Sequence, residues 1–228
     1  MNTSYNLPKR IWLSESQACD LSASGDTPPE DVYEFVLNER KISIKFDFED
    51  GNGPVPAHQH PNGGGWVADT AHVDETAYVG PDARVFGYTR VFDDACVFGN
   101  ARVFGNAQVF GYARIFDHAR IYGKAQVFDN AVVYDNARVY DYSWVLNNSM
   151  VYGNAQICDE GLILDNAKVF DNAKVRGLSI VRGKSKVYGS ATLTGNSDIK
   201  DSAEVFGNAK IEDCVIGGDN KISKNLCS

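Results

Sequence analysis

Residues 101–112 read Ala-Arg-Val-Phe-Gly-Asn-Ala-Gln-Val-Phe-Gly-Tyr, which is two copies of a six-residue unit with an aliphatic third position. The unit continues in both directions without insertion or deletion from Gly65 to Cys214, giving 25 hexads. The third position is always Val, Ile or Leu, and the first is always Gly, Ala, Ser or Thr. A fixed short period over about two-thirds of the chain predicts a solenoid, in which each repeat packs on its neighbours.

The composition of the hexad predicts a three-sided coil. Alternation places the first and third residues on one side of a short strand and the second and fourth on the other. The fifth position is Gly, Asp or Asn in 23 of the 25 hexads, and these residues adopt positive φ at low cost. A corner every six residues gives a triangular coil of 18 residues, whose narrow interior suits a small residue beside a branched one. The repeat therefore accounts for about eight coils stacked at roughly 4.8 Å.

The aliphatic position of Val103 and the small position of Ala107 recur in every hexad. This pattern resembles the hexapeptide-repeat superfamily, whose members form left-handed parallel β-helices. The superfamily favours Gly after the aliphatic residue, whereas this chain has Phe or Tyr there in most hexads. The resemblance implies an all-β, left-handed, three-sided β-helix over residues 65–214. It also implies acyl transfer from acyl-coenzyme A as the common activity, and trimers as a common assembly.

The residues before the repeat, 1–64, are expected to form a small α+β segment that ends in a linker. A Thr N-cap followed by two Pro and a Glu predicts a helix from Thr27 to about Arg40. Period-two alternation predicts a strand over residues 41–48. The Gly, Pro and His content of residues 51–65 is typical of a linker.

The last residues, 215–228, leave the register of the hexads. Ile216 follows Ile211 by five positions rather than six, Ile222 keeps the new phase, and the tail becomes polar. Because the end of a solenoid exposes unpaired strand edges, we expect this segment to form a cap.

Stacking residues that lie 18 apart sorts the outward side chains into three faces. The first face carries a column of Arg84, Arg102, Arg120 and Arg138, then Gln156 and Lys174, beside a column of rings, Phe86, Phe104, Tyr122 and Tyr140. The second carries Phe92, Phe110 and Phe128, followed by an apolar block of Trp144, Leu146, Leu162, Leu164 and Ile180. The third carries an unbroken ladder of rings, Phe98, Phe116, Tyr134, Tyr152, Phe170, Tyr188 and Phe206.

The arginine column of the first face has two interpretations. Cations about 4.8 Å apart repel one another, so something must neutralise them. Asp117 and Asp135 precede Arg120 and Arg138 at the corners, and ordinary surface ion pairs would suffice. Alternatively, the column binds phosphate or carboxylate while Phe104 or Tyr122 stacks on a planar ring of a nucleotide-like ligand.

The aromatic and apolar columns also have two interpretations. Stacked rings stabilise their own strands, as cross-strand aromatic pairs do. Apolar patches above a few hundred Å² are uncommon on monomers, however, and usually mark an interface. We therefore predict a homo-oligomer, with a trimer favoured, that buries the block of Trp144, Leu146, Leu162, Leu164 and Ile180.

Catalytic and metal signatures are scarce. The four histidines are His58, His60, His72 and His118, and only His118 lies deep in the repeat, so it is the one weak candidate for the base of an acyltransferase. No inserted loop interrupts the hexads to shape an acceptor pocket. Three converging histidines are not available for a zinc site, and the His58-x-His60 pair lies in a Gly/Pro-rich stretch. We predict no metal and no cofactor, with acyl-coenzyme A only if the chain is a transferase.

Composition sets the remaining expectations. The net charge of −8 disfavours general nucleic-acid binding, and no apolar run approaches the roughly 20 residues of a membrane span. Five scattered cysteines without C-x-x-C spacing are typical of reduced thiols in a cytoplasmic protein. The sequence thus favours a non-enzymatic, oligomeric scaffold that presents Arg and aromatic ladders to a partner or a small anionic ligand, or that sequesters such a ligand. An acyl-coenzyme-A-dependent transferase with a site between protomers is the alternative.

Overall fold

The structure is a computed structural model and describes residues 32–38 and 41–226. Its strands, numbered β1 to β30 along the chain, form one 12-stranded and two 9-stranded sheets, and these residues contain no helix. Consecutive strands of the repeat fall in different sheets, and each pairs in parallel with the strand three positions further along. The predicted three-sided parallel solenoid is therefore confirmed, with nine coils rather than eight.

Each face of the solenoid contains nine of its strands. The first face consists of β4 (Trp66–Ala68), β7 (Arg84–Val85), β10 (Arg102–Val103), β13 (Arg120–Ile121), β16 (Arg138–Val139), β19 (Gln156–Ile157), β22 (Lys174–Val175), β25 (Thr192–Thr194) and β28 (Lys210–Glu212). The second consists of β5 (His72–Val73), β8 (Arg90–Val91), β11 (Gln108–Val109), β14 (Gln126–Val127), β17 (Trp144–Val145), β20 (Leu162–Ile163), β23 (Ile180–Val181), β26 (Asp198–Ile199) and β29 (Val215–Ile216). The third consists of β6 (Tyr78–Val79), β9 (Cys96–Val97), β12 (Arg114–Ile115), β15 (Val132–Val133), β18 (Met150–Val151), β21 (Lys168–Val169), β24 (Lys186–Val187), β27 (Glu204–Val205) and β30 (Lys221–Ile222).

The interior is built from the first and third residues of the hexads. The alanines and branched residues at these positions, such as Ala101 and Val103, have no solvent exposure from the second to the eighth coil. Where Ser or Thr replaces Ala, the buried hydroxyl donates a hydrogen bond to a main-chain carbonyl. Ser185 Oγ, for example, donates to the carbonyl of Arg182 at 2.7 Å. The inward alternation predicted from the hexad is confirmed, because only small and branched side chains fit this narrow prism.

The corners depend on left-handed backbone at the fifth position. Asp135 has a φ of 56°, and its carboxylate accepts the N–H of Gly153 in the next coil at 3.0 Å. Asp159 repeats the arrangement with Gly177, also at 3.0 Å. Aspartate therefore serves twice at a corner: it tolerates positive φ and it provides an acceptor for an N–H of the following coil.

The segment before the repeat adds three antiparallel strands to the first face: β1 (Val32–Asn38), β2 (Lys41–Phe46) and β3 (Val55–Gln59). Strand β2 confirms the predicted strand over residues 41–46, but β1 shows that the predicted helix is wrong over residues 32–38. Residues 27–31, 39 and 40 lie outside the described part. Pairing of β1 with β2 satisfies backbone groups along the edge of the sheet, and such pairing overrides weak local helical spacing. The linker prediction is also wrong for β3, which pairs with β4.

Rings of this segment extend the core over the top of the first face. Phe46 stacks on Trp66 at 4.4 Å between centroids, and Phe48 stacks on Phe86 at 4.9 Å. Phe48 is 1% exposed, and it belongs with Ala57 to a separate apolar cluster. This packing fixes the β2–β3 hairpin against the first coils.

A loop after β3 covers the beginning of the third face. The side-chain amide of Asn62 donates to the carbonyls of Thr76 and Ala77, both at 3.1 Å. The main-chain carbonyl of Asn62 accepts the N–H of Val79. The N–H of Gly65 donates to the carbonyl of Val79 at 2.9 Å. These bonds satisfy backbone groups at the first strand of the third sheet, whose open edge could otherwise pair with another strand.

At the other end, the expected cap is largely one more coil. Strands β29 and β30 pair in parallel with β26 and β27 with an offset of 17 residues, one fewer than elsewhere. The change of register at Ile216 is confirmed, and the ladder continues to Ile222 before Leu226 bridges to Ile211.

The cysteines depart in part from expectation. Cys96 and Cys158 are free thiols, whereas Cys214 is in a disulfide bond. Among the residues described, no helix has the length and hydropathy that crossing a bilayer requires.

Candidate functional site

The four arginines of the first face occupy the same position in successive coils. Arg84 pairs in register with Arg102, Arg102 with Arg120, and Arg120 with Arg138. The column predicted from the sequence is thus present, with about 4.8 Å between neighbouring backbones. It divides into an upper pair, Arg84 and Arg102, and a lower pair, Arg120 and Arg138, whose surroundings differ.

The upper pair is neutralised by Glu49, which follows strand β2. Oε1 of Glu49 lies 3.0 Å from Nη1 of Arg84, and Oε2 lies 2.6 Å from Nη2 of Arg102. Arg102 also donates from Nη1 to the main-chain carbonyl of Phe48 at 3.4 Å. The pKa of Glu49 is held below its ordinary value, first by the hydrogen bond from Arg102 and then by the adjacent guanidinium of Arg84. One carboxylate therefore bridges two arginines of the column, and the sequence analysis did not foresee it.

The lower pair has no such partner. Arg120 and Arg138 are both exposed, and neither lies within ion-pair distance of a carboxylate in the part of the chain that the structure describes. The expected ion pairs with Asp117 and Asp135 are wrong. The carboxylate of Asp135 instead accepts a backbone N–H of the next coil, because the left-handed corner holds it along the axis of the solenoid.

The ring column beside the arginines is continuous. Phe86, Phe104, Tyr122 and Tyr140 stack with centroid separations of 4.8 to 5.0 Å and interplanar angles of 2° to 4°. The faces of Phe104 and Tyr122 are therefore covered by neighbouring rings, and a planar ligand group meets only ring edges. The predicted stacking of a ligand on these two residues is not possible while the column is intact.

The hydroxyl of Tyr122 lies in the field of the lower arginines. Partial burial raises its pKa, and the positive charges of Arg138 and Arg120 oppose that rise. The phenol therefore stays protonated at neutral pH, close enough to both guanidinium groups to feel their charge.

A cluster below the ring column was missed from the sequence. Cys158 replaces the ring in the next coil and is 4% exposed. Its proximity raises the pKa of the Tyr140 hydroxyl. Ligand atoms of Asp141, Cys158 and Asp159 lie within 4.8 Å of one another. Desolvation raises the pKa of the Cys158 thiol, which disfavours the thiolate that metals bind. The 18-residue spacing of Asp141 and Asp159, beside Cys158, was the available signal for this cluster.

The apolar block of the second face is assembled as predicted. Trp144 pairs in register with Leu162, and Leu162 pairs with Ile180. Leu146 and Leu164 lie at the next outward position, two residues after Trp144 and Leu162. Trp144 is 45% exposed and packs edge-on against Phe128 at 6.3 Å. The aliphatic members are only partly exposed, because they cover one another along the column.

The ladder of the third face is also confirmed. Its seven rings stack at 4.9 to 5.2 Å, and the guanidinium of Arg114 lies over Phe98 and Phe116. All these rings are half-buried by their neighbours. Stabilisation of their own strands accounts for them without a ligand.

The histidines do not converge. His118 lies exposed at a corner, where its backbone N–H donates to the carbonyl of Asp135. His58 Nδ1 lies 2.7 Å from Asp69, and His72 Nε2 lies 3.1 Å from Asp74. Within the described residues, the only group of three potential metal ligands contains no histidine.

Comparison with known proteins supports the repeat. The model of the YdcK beta solenoid repeat matches residues 133–147. No curated protein matches the chain. The match covers two and a half hexads and concerns the fold alone, so the resemblance to the hexapeptide-repeat superfamily remains a prediction.

Proposed function

We propose that the protein is a non-enzymatic binding protein whose lower arginine pair, Arg120 and Arg138, holds an anionic ligand. The observation that carries the proposal is the Glu49 carboxylate, which bridges Arg84 and Arg102 in the same column. A site of the same spacing and residue type lies directly below it, exposed and without a partner in the described residues. A carboxylate or phosphate there would give each guanidinium one charge-assisted hydrogen bond.

The surroundings limit the ligand to a compact anion. The chain carries 30 acidic and 22 basic side chains, so a long polyanion would be repelled by much of the surface. The rings beside the pair present edges rather than faces. A nucleotide-like ligand would therefore bind through its phosphate, with the Tyr122 hydroxyl as an additional donor, and its base would gain little from the column.

Self-association is a second part of the proposal. Trp144 is the most exposed member of the apolar block, and Leu146, Leu162 and Leu164 continue the block along the second face. Burying it between copies, as a trimer or another closed oligomer, would remove this apolar surface from water. Light scattering should show an oligomer whose mass falls when Trp144→Glu and Leu162→Glu are combined, and a monomeric wild type would refute the assembly.

The competing activity is acyl transfer from acyl-coenzyme A. Its one candidate base is His118, which is exposed at a corner and has no side-chain hydrogen bond among the described contacts. We expect His118→Ala to change nothing measurable. Turnover of acetyl-coenzyme A by the wild type that disappears with His118→Ala would establish the transferase and overturn the binding proposal.

Calorimetric titration tests the anion site. Inorganic phosphate and adenosine monophosphate are the probes, and Arg120→Gln combined with Arg138→Gln removes the site. Arg90→Gln with Arg114→Gln is the matched control, since it removes two exposed arginines from the other faces. Loss of a paired charge at such a site lowers affinity by about tenfold or more. Binding that weakens equally in both double variants would show only nonspecific charge attraction.

A further inference from the structure

The upper arginine pair shows what kind of group the column accepts. Arg102 contacts two parts of one short peptide: the carboxylate of Glu49 at 2.6 Å and the main-chain carbonyl of Phe48 at 3.4 Å. Both contacts use the forked donors of one guanidinium, and Arg84 takes the second carboxylate oxygen. The column thus recognises an acidic residue together with the carbonyl that precedes it.

The peptide that makes these contacts is a turn. Glu49 has a φ of 56°, and its N–H donates to the Asp47 carboxylate at 2.7 Å. The N–H of Asn52 donates to Asp50 at 2.9 Å. These local bonds hold the turn, so the Glu49 side chain points outward and stays 60% exposed even in its ion pairs. The interaction needs no deep pocket, only an acidic turn laid against two arginines.

The lower pair repeats the geometry two coils further along the axis. Arg120 and Arg138 pair in the same parallel register as Arg84 and Arg102, so their side chains leave the backbone at equivalent points. The Glu49 contacts end at Arg102, and the lower pair is exposed. We infer that Arg120 and Arg138 bind an acidic turn of a protein partner, through a glutamate carboxylate and the preceding main-chain carbonyl. This inference rests on the anion-binding function proposed above and specifies its ligand.

A peptide fits the lower pair better than a nucleotide for two reasons. A phosphate supplies oxygens to both arginines but no separate carbonyl for the remaining guanidinium donors. Phe104 and Tyr140 cover both faces of the Tyr122 ring. Tyr140 has Tyr122 on one face, and the buried Cys158 occupies the next position of the column, so a base gains little surface on which to stack. An acidic turn supplies both a carboxylate and a main-chain carbonyl to the arginines, and it needs no exposed ring face.

The chain's own turn supplies the probe. A fluorescent, end-blocked peptide of residues 44–52 is titrated with the full-length protein, and its anisotropy is followed to millimolar concentration, since one bridged carboxylate gives affinities of about 1 mM or somewhat tighter. We expect binding that weakens at least tenfold for Arg120→Gln with Arg138→Gln and stays unchanged for Arg90→Gln with Arg114→Gln. The same peptide carrying E49Q should lose binding to a similar extent.

The outcomes separate the inference from the proposed function. Peptide binding that ignores the Arg120 and Arg138 substitutions, or that survives E49Q, overturns the inference. Phosphate or adenosine monophosphate binding at the lower pair without peptide binding also overturns it, yet leaves the anion site intact. Absence of binding by all three probes refutes both.

Discussion

The upper and lower halves of the first face share one interior and differ outside. Val103 in the upper half and Val139 in the lower half occupy the same position of their coils, and neither is exposed to solvent. Each pairs with the coils above and below in the same parallel register. Outside, the upper arginines are bridged by Glu49, and the lower arginines have no partner in the described residues. The difference comes from the β2–β3 hairpin, which covers only the first coils. In this fold the repeat builds a uniform rod, and the non-repeating segment decides which stretch of its surface stays available.

The largest expected effect concerns the stability of the interior, which should be the same in both halves. Val103→Asp in the upper half and Val139→Asp in the lower half each put an unpaired carboxylate into a dry prism, and each should lower the free energy of unfolding by about 4 kcal/mol or more. Val132→Asp, at a partly exposed outward position of the third face, is the control and should cost less than about 1 kcal/mol. Urea denaturation followed by circular dichroism measures all three. Clearly unequal losses at Val103 and Val139 would mean that the halves differ inside as well.

The next largest effect concerns the hairpin alone. Phe48 is 1% exposed and stacks on Phe86, so Phe48→Ala should lower the stability of the hairpin by about 3 kcal/mol. Phe110→Ala, which removes a half-buried ring of the second face, should cost less and leave the hairpin unaffected. Hydrogen exchange of the β2 and β3 amides reports the change. Unaltered protection in Phe48→Ala would show that the ring does not hold the hairpin in place.

The smallest effect is the dependence of the Glu49 contact on pH. Because the pKa of Glu49 is lowered by Arg102 and Arg84, its contribution is fully present above the ordinary value of 4.5. It is lost as the pH falls through the lowered value. Amide exchange near Glu49 should accelerate over that acidic range more than the intrinsic rate predicts, and Glu49→Gln should abolish the extra dependence. An identical profile in the variant would contradict the ion pair.

The sequence predicted the rod better than the site. The inward alternation, the corners and the columns follow from the period, because within the hexads a residue 18 positions away is a neighbour in the next coil. The helix predicted to include Tyr33 failed because pairing with β2 decides that segment, and local spacing carries no information about such a partner. Glu49 was missed for the same reason: it contacts Arg102 across 53 positions outside the repeat. The lower arginine pair was found, but its difference from the upper pair required the position of the hairpin.

The central claim is that Glu49 occupies the upper arginine pair and leaves the lower pair available, and it can be tested on the arginine side chains themselves. Nε–Hε signals of Arg84, Arg102, Arg120 and Arg138 are recorded by nuclear magnetic resonance during titration with the peptide of residues 44–52, and are assigned by single Arg→Lys substitutions. We expect only the signals of Arg120 and Arg138 to shift in the wild type, and we expect Glu49→Gln to make those of Arg84 and Arg102 shift as well. Equal shifts of all four arginines in the wild type, or none at the lower pair, would contradict this claim.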